Sequence, residues 1–155
     1  MNLNDNPRNA TMCFSKAGLA EGTNANTIKT AAPNGAGIDY SIKGIMYHAA
    51  EADNIAMTAL AQQAVLTTCL YLVCLDSGGA LSITKGVEVL KADYDAGDAV
   101  LAWPDVPDGK CPIGAFKIDL ASTATFTSGT TDLGAANVTD TYFDLSTVPS
   151  VPLAA

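Results

Sequence analysis

Hydrophobic and polar positions along this chain follow the pattern of short β-strands separated by turns. The clearest strand is Thr67–Leu75, which is rich in β-branched and aromatic residues and is apolar at both odd and even positions. Strands that are buried on both faces of a sheet have this composition. Thr67–Leu75 is therefore predicted to be the central strand of the fold.

A hairpin is predicted ahead of this strand. Ile38–Ile42 alternates between apolar and polar residues, Lys43-Gly44 forms a two-residue turn, and Ile45–His48 returns. Glycine at the second loop position favours a tight hairpin, although lysine is not the preferred first residue.

The remaining sequence carries further strand patterns and no long helical ones. Between Asp53 and Gln63 the pattern fits both a strand and a helical face, and the β-rich neighbours favour a strand over Asn54–Thr58. The other predicted strands are Leu81–Thr84, Val87–Val89, Ala99–Trp103, Cys111–Ile118 and Thr141–Leu145, with a hairpin-like Thr125–Thr127. Short strands spaced by turn signals predict an all-β fold, an antiparallel β-sandwich or barrel.

The length of 155 residues fits one domain with flanking segments. The first 25 residues show no clear period and carry Cys13, Phe14 and Leu19 as isolated apolar groups. This predicts an extended arm, which either ties the domain to a neighbour or is a frayed terminus. The predicted organisation is an extended N-terminal arm (1–25), a β domain (26–145) and a loose, proline-containing C-terminal tail (146–155).

The composition indicates a surface suited to packing against other subunits. Charged residues make up only 15% of the chain, against about 25% in ordinary soluble domains. Small, weakly polar side chains take their place and are easier to desolvate. The net charge is −8 and the eight basic residues are scattered, with Arg8 as the only arginine. Nucleic acids and anionic membrane surfaces attract clustered basic residues, so neither is a predicted partner.

The sequence also predicts where the protein matures. Its first residues lack the basic and apolar regions of a signal peptide. The longest apolar run, Ala64–Leu75, is interrupted by Thr67 and Thr68 and is shorter than the roughly 20 residues of a membrane-spanning helix. Maturation in a cytosol is therefore expected.

Motifs that carry chemistry are missing from the sequence. Nucleophilic catalysis of the Ser-His-Asp or Cys-His kind needs a histidine held against a nucleophile, and His48 is the only histidine. The four cysteines contain no Cys-x-x-Cys pair. Cys69 and Cys74, an odd number of positions apart, point to opposite faces of a strand. The cysteines are therefore predicted to be buried and reduced, and no catalytic, cofactor-binding or metal-binding residue is predicted. The chain is not expected to be an enzyme.

Two weaker patterns have plainer interpretations. Asp93–Asp98 resembles a calcium loop, but Asp98 occupies the position of the required glycine and Pro104 that of the bidentate acid, which favours a solvated acidic turn. Four aromatic residues spread through the chain form either a sugar-stacking face or, as favoured here, core and interface positions. They are Tyr40, Tyr47, Trp103 and Phe126.

Several segments, taken together, resemble small virion proteins of tailed bacteriophages, often head-decoration (cement) proteins. The likeness covers most of Asn6 to Leu145 and carries over no catalytic residue. The segments are Asn6–Met12, Tyr40–Gly44, Asp53–Met57, Pro112–Ala115 and Phe126–Leu133.

The resemblance implies a β-rich structural protein, made in the host bacterial cytoplasm and placed on the capsid exterior. Its implied partners are further copies of itself, as a homotrimer, and the major capsid protein. Two alternatives remain open at this point: a tail or fibre module that contacts a host receptor, and a carbohydrate-binding β-module.

Overall fold

The computed structural model describes residues 10–31 and 35–146, and within these ranges the fold is all-β, as predicted. Three antiparallel sheets pack around one main hydrophobic core in a sandwich-like arrangement, and none of the sheets described closes into a barrel. The elements are β1 (Met12–Cys13), β2 (Leu19–Glu21), β3 (Thr27–Thr30), β4 (Ile38–Ile42), β5 (Ile45–Ala49), β6 (Ala52–Ala56), β7 (Thr67–Leu75), β8 (Leu81–Lys85), β9 (Val89–Leu90), α1 (Lys91–Ala96), β10 (Cys111–Leu120) and β11 (Val138–Asp144).

The largest sheet is built around β7. Its strand order is β11-β10-β7-β8, with β9 also pairing with β7, and every residue of β7 is buried. The prediction of a central strand over Thr67–Leu75 is confirmed with the same bounds. Tyr71 lies opposite Phe116 on β10, and the two rings stack with centroids 4.9 Å apart in the main core.

The other face of β7 is covered by α1 and the segment that follows it. Leu70 packs there with Tyr94, Leu101 and Ala115 in a second, smaller cluster. The prediction of a strand over Ala99–Trp103 is therefore wrong, because this apolar segment covers the sheet without pairing to it. The acidic turn predicted over residues 93–98 includes the end of α1, which terminates at Gly97 with a left-handed φ of 80°.

Two smaller sheets complete the fold, with strand orders β1-β4-β5 and β2-β3-β6. The predicted hairpin is confirmed as β4 and β5, and its turn residues Lys43 and Gly44 have φ values of 50° and 80°. Some predicted bounds shift along the chain. The strand β6 begins two residues before the predicted strand, and β11 begins three residues before its predicted start. The strand β9 begins two residues after its predicted start. In place of the predicted hairpin-like Thr125–Thr127, Phe126 forms only an isolated bridge with Gln63.

Residues 10–25, expected within an extended arm, pack against the β domain. The strand β1 pairs with β4 and β2 pairs with β3. Cys13 and Leu19 are buried in the main core, whereas Phe14 is 50% exposed. Leu19 lies so close to Gly114 that a Cβ there would be 2.3 Å from the leucine Cδ1 atom. Residues 1–9 of the expected arm and residues 147–155 of the expected tail lie outside the described residues.

Candidate docking face

His48, the one residue able to serve as an imidazole base, lies on β5 opposite Asp39 of β4. Its Nδ1 atom is 2.8 Å from the Asp39 carboxylate, and both side chains are more than half exposed. The strand alternation points this pair outward, whereas the thiol of Cys13 in the neighbouring strand points into the core. The two side chains therefore form a cross-strand hydrogen-bonded pair at the surface, and the thiol of Cys13 lies on the opposite side of the sheet.

The four cysteines are buried, as predicted. Burial raises the pKa of Cys69 and of Cys74 to about 11 and that of Cys111 to about 12, and it also raises the pKa of Cys13. The thiolate is the reactive form of cysteine, so these thiols are poor nucleophiles at neutral pH. Cys69 faces the main core and Cys74 the opposite side of β7, in agreement with their odd spacing.

Residues 10–31 and 35–146 contain no group of three or more His, Cys, Asp or Glu side chains able to hold a metal ion. The single helix in these ranges, α1, is too short to cross a membrane.

The four aromatic residues considered as a sugar-stacking face do not share one surface. Tyr40 and Phe126 are fully buried, which confirms their interpretation as core residues, and Tyr47 stacks on Tyr40 with centroids 5.7 Å apart. Trp103, which is 38% exposed, borders a groove of about 310 Å³ with Val87 and Asp105.

The most distinctive surface is the outer face of the sheet β1-β4-β5, here called the docking face. Residues that lie directly opposite each other in paired strands project on the same side of a sheet. The register therefore places Met12, Ser41 and Met46 in one row across the three strands. Phe14, whose amide donates to the Asp39 carbonyl at 2.9 Å, continues the next row with Asp39 and His48.

Large apolar side chains stand exposed on this face. Met12 is 46%, Phe14 50% and Met46 60% exposed. Between the methionines, Ser41 is buried, and its hydroxyl donates to the Ala10 carbonyl at 2.9 Å. Three exposed apolar side chains therefore share this face with the His48–Asp39 pair.

A second apolar patch lies at the edge of the large sheet where β7 begins and β10 ends. Leu66 and Leu90 are 50% and 57% exposed and border a groove of about 370 Å³, with Lys91 and Asp95 at its rim. The two leucines are held together because the Lys91 amide donates to the Leu66 carbonyl at 2.8 Å. This groove is called the second patch below.

The sequence pointed to only part of the docking face. Phe14 is recognisable in the sequence as an isolated apolar group of the predicted arm, whereas Met12 and Met46 are not. They share a face only because β1 pairs with β4, and a strand of two residues is too short for this pairing to be predicted from the sequence. A Met followed two positions later by Phe was the available signal for one exposed face of a strand.

The chain matches no protein-family model, no curated protein and no solved structure. The resemblance to phage head-decoration proteins therefore stays a prediction, and a proposal for function rests on the surfaces described above.

Proposed function

We propose that this chain is a structural protein of a tailed-phage virion, decorating the capsid exterior without catalysing a reaction. The observation that carries the proposal is the docking face, where Met12, Phe14 and Met46 are exposed on the same side of a paired sheet. Contiguous exposed apolar side chains mark interaction sites in soluble proteins. The proposed partner at this face is the major capsid protein.

The chemistry of the face suits attachment to a large protein surface. Unbranched methionine side chains adapt their shape to a partner and lose little by repacking. Burial of apolar area contributes about 25 cal/mol per Å² of the binding free energy, before the costs of ordering are subtracted. The low fraction of charged residues, 15%, reduces the number of long side chains that must be ordered or desolvated on docking.

The second patch supplies a separate surface on which copies of the chain meet, and a homotrimer is the proposed assembly. Capsids offer three-fold positions, and a ring of three copies would present three docking faces at once. Three linked weak contacts bind far more tightly than one, because each contact raises the effective concentration of the next.

The proposal is tested by adding purified protein to undecorated phage heads and measuring the bound fraction by co-sedimentation. Met46→Asp places a charge in the docking face and is expected to weaken binding at least tenfold. Val100→Asp is the matched control, because Val100 is 67% exposed outside both patches. Circular dichroism checks that both variants fold. Equal binding of the two variants, or no binding of the unaltered protein to any head, would contradict the proposal.

A carbohydrate-binding role is the second candidate, and the groove beside Trp103 is the observation that favours it. Indole rings stack on sugar faces, and the Asp105 carboxylate is an acceptor for sugar hydroxyls. Glycan binding that disappears in Trp103→Ala, together with no binding to heads, would establish this role in place of decoration.

A further inference from the structure

The exposed sulfur-containing side chains of the described residues lie together on the docking face. Of the four methionines of the chain, Met12, Met46 and Met57 lie in the described ranges, as do its four cysteines. The cysteines are buried, and Met57 is only 6% exposed in the main core. Within residues 10–31 and 35–146, the accessible thioethers and thiols are therefore those of Met12 and Met46.

These two methionines are close enough to alter one surface. Met12 lies opposite Ser41, which in turn lies opposite Met46, so a single strand separates them. Neighbouring strands are about 4.8 Å apart, which places the two backbones about 10 Å apart. Both side chains project from the same side of the sheet, so a chemical change at either sulfur affects the same patch.

An exposed thioether reacts with a peroxide without help from another residue. A sulfur lone pair attacks one oxygen of hydrogen peroxide, and the S–O bond forms as the O–O bond breaks. The departing oxygen takes the proton of the attacked oxygen and leaves as water. The sulfur is thereby oxidised by two electrons to a sulfoxide, which is polar and chiral. The cysteines compete poorly, because the thiolate is their reactive form and burial raises the pKa of all four.

We propose that Met12 and Met46 are oxidation sites at which hydrogen peroxide converts the docking face from apolar to polar and so switches attachment off. A sulfoxide oxygen buried against an apolar partner loses its hydrogen bonds to water, which opposes docking. Methionine sulfoxide reductases restore the thioether, so the switch is reversible. The oxidation sites stand on the exposure of these side chains, whereas the effect on attachment rests on the function proposed above.

Peroxide treatment of the purified protein at pH 7 tests the sites without any phage component. After catalase removes the peroxide, peptide mass spectrometry follows the oxidised fraction at each methionine. Met12 and Met46 are expected to oxidise at least tenfold faster than Met57, and the three rates should converge in urea. Oxidation of either docking-face methionine as slowly as Met57 in the folded chain would overturn its assignment as a site.

Hydrophobic-interaction chromatography measures whether oxidation makes the face polar. The oxidised protein should elute earlier than the untreated protein, and circular dichroism checks that it remains folded. The double variant Met12→Leu/Met46→Leu keeps an apolar face without a thioether, so treatment should leave its elution unchanged. An equal shift in this variant would assign the change to other residues.

Binding to undecorated heads, with peroxide already removed, separates the switch from the proposed function. Oxidation is expected to weaken binding at least tenfold, and the double leucine variant should bind equally before and after treatment. A methionine sulfoxide reductase should restore binding, as dithiothreitol supplies two electrons and the sulfoxide oxygen leaves as water. Binding that survives oxidation but is lost in Met46→Asp overturns the switch and leaves the proposed function intact. If the untreated protein binds no head, the proposed function fails, and the chromatographic shift alone decides whether peroxide makes the face polar.

Discussion

At the scale of single residues, Gln63 shows how the fold tolerates a polar group in its core. Its side chain is fully buried, and Nε2 donates to the carbonyls of Thr67 and Ile118, both at 3.1 Å. Its Oε1 accepts a hydrogen bond from the hydroxyl of Tyr71 at 3.1 Å. One side-chain amide thus forms hydrogen bonds with a carbonyl at the start of β7, a carbonyl near the end of β10 and the hydroxyl of the central Tyr71. Buried polar groups without such partners are costly, so this network specifies how the three segments meet.

Gln63→Leu is expected to lower the free energy of unfolding by about 3 kcal/mol, because it leaves the buried Tyr71 hydroxyl without its acceptor and removes two hydrogen bonds to backbone carbonyls. Urea unfolding monitored by circular dichroism measures the change. The neighbouring Gln62 is exposed, and Gln62→Leu should change stability by no more than about 0.5 kcal/mol. Adding Tyr71→Phe to Gln63→Leu should recover part of the loss. A Gln63→Leu protein as stable as the original would show that the network is not stabilising.

At the scale of elements, an ion pair fastens the loop before β7 to the end of β8. Lys85 donates to the carbonyls of Ala61 and Gln62 at 2.9 and 3.2 Å and pairs with Glu88 at 2.5 Å. Glu88 in turn accepts from the Ala64 amide at 3.0 Å. Partial burial alone would raise the pKa of Glu88, but the hydrogen bonds from Lys85 and Ala64 outweigh it, and the pKa lies below its usual value.

This lowered pKa predicts a pH dependence with a definite sign. A carboxyl group whose pKa is lower in the folded chain than in the unfolded chain stabilises the fold above its unfolded pKa. That stabilisation is lost as pH falls through the folded pKa. Glu88→Gln should therefore cost about 1–2 kcal/mol at pH 7, and the difference from the original protein should shrink below the usual glutamate pKa of 4.5.

Thermal unfolding at several pH values from 7 to 3 measures this difference. Glu51→Gln, at an exposed surface glutamate, is the matched control and should show no comparable dependence. A penalty for Glu88→Gln that stays constant down to pH 3 would contradict an electrostatic role.

The elements that the sequence predicted well are those in which local pattern and final environment agree. Thr67–Leu75 is apolar on both faces because both faces are covered, and its bounds follow directly. Ala99–Trp103 has a similar apolar pattern, but Leu101 is buried by lying over β7 instead of pairing in a sheet. Hydrophobicity reports burial, and it does not distinguish a strand from a segment that covers one.

Short elements and the docking face were harder to predict for a related reason. The strands β1 and β2 have only two and three residues, too few to show a period, and they form only by pairing with residues 7 to 29 positions away. The helix α1 has six residues and lacks a side-chain cap at its start, so its acidic residues look like a turn. A surface composed of such elements is visible only after the chain has folded.

At the scale of the whole molecule, the described residues form two exposed apolar patches, and the chain has a net charge of −8. Net charge of this size favours solubility and opposes unspecific contact with polyanions. Apolar patches on the docking face and around Leu66 and Leu90 then offer two separate places where specific association overcomes that repulsion.

The proposed trimer gives a measurable prediction for this division of surfaces. Multi-angle light scattering at micromolar concentration is expected to report about three times the chain mass of 15.9 kDa. Leu90→Asp, in the second patch, should yield a folded monomer, whereas Met46→Asp in the docking face should remain trimeric. A monomer for the unaltered protein would refute the proposed assembly. Dissociation by Met46→Asp but not by Leu90→Asp would show that the copies contact each other through the docking face.

The reactivity of the buried cysteines reports local opening of the strands that contain them. Cys13 lies in β1, Cys69 and Cys74 near opposite ends of β7, and Cys111 at the start of β10. A thiol with a pKa near 11 is ionised in only about one molecule in ten thousand at pH 7, and a buried one must also be uncovered before a reagent can attack it. The labelling rate at each cysteine therefore measures how often its own strand opens. Mass spectrometry of such labelling would compare how often the edge strand β1 opens with how often the central strand β7 opens, without any added probe.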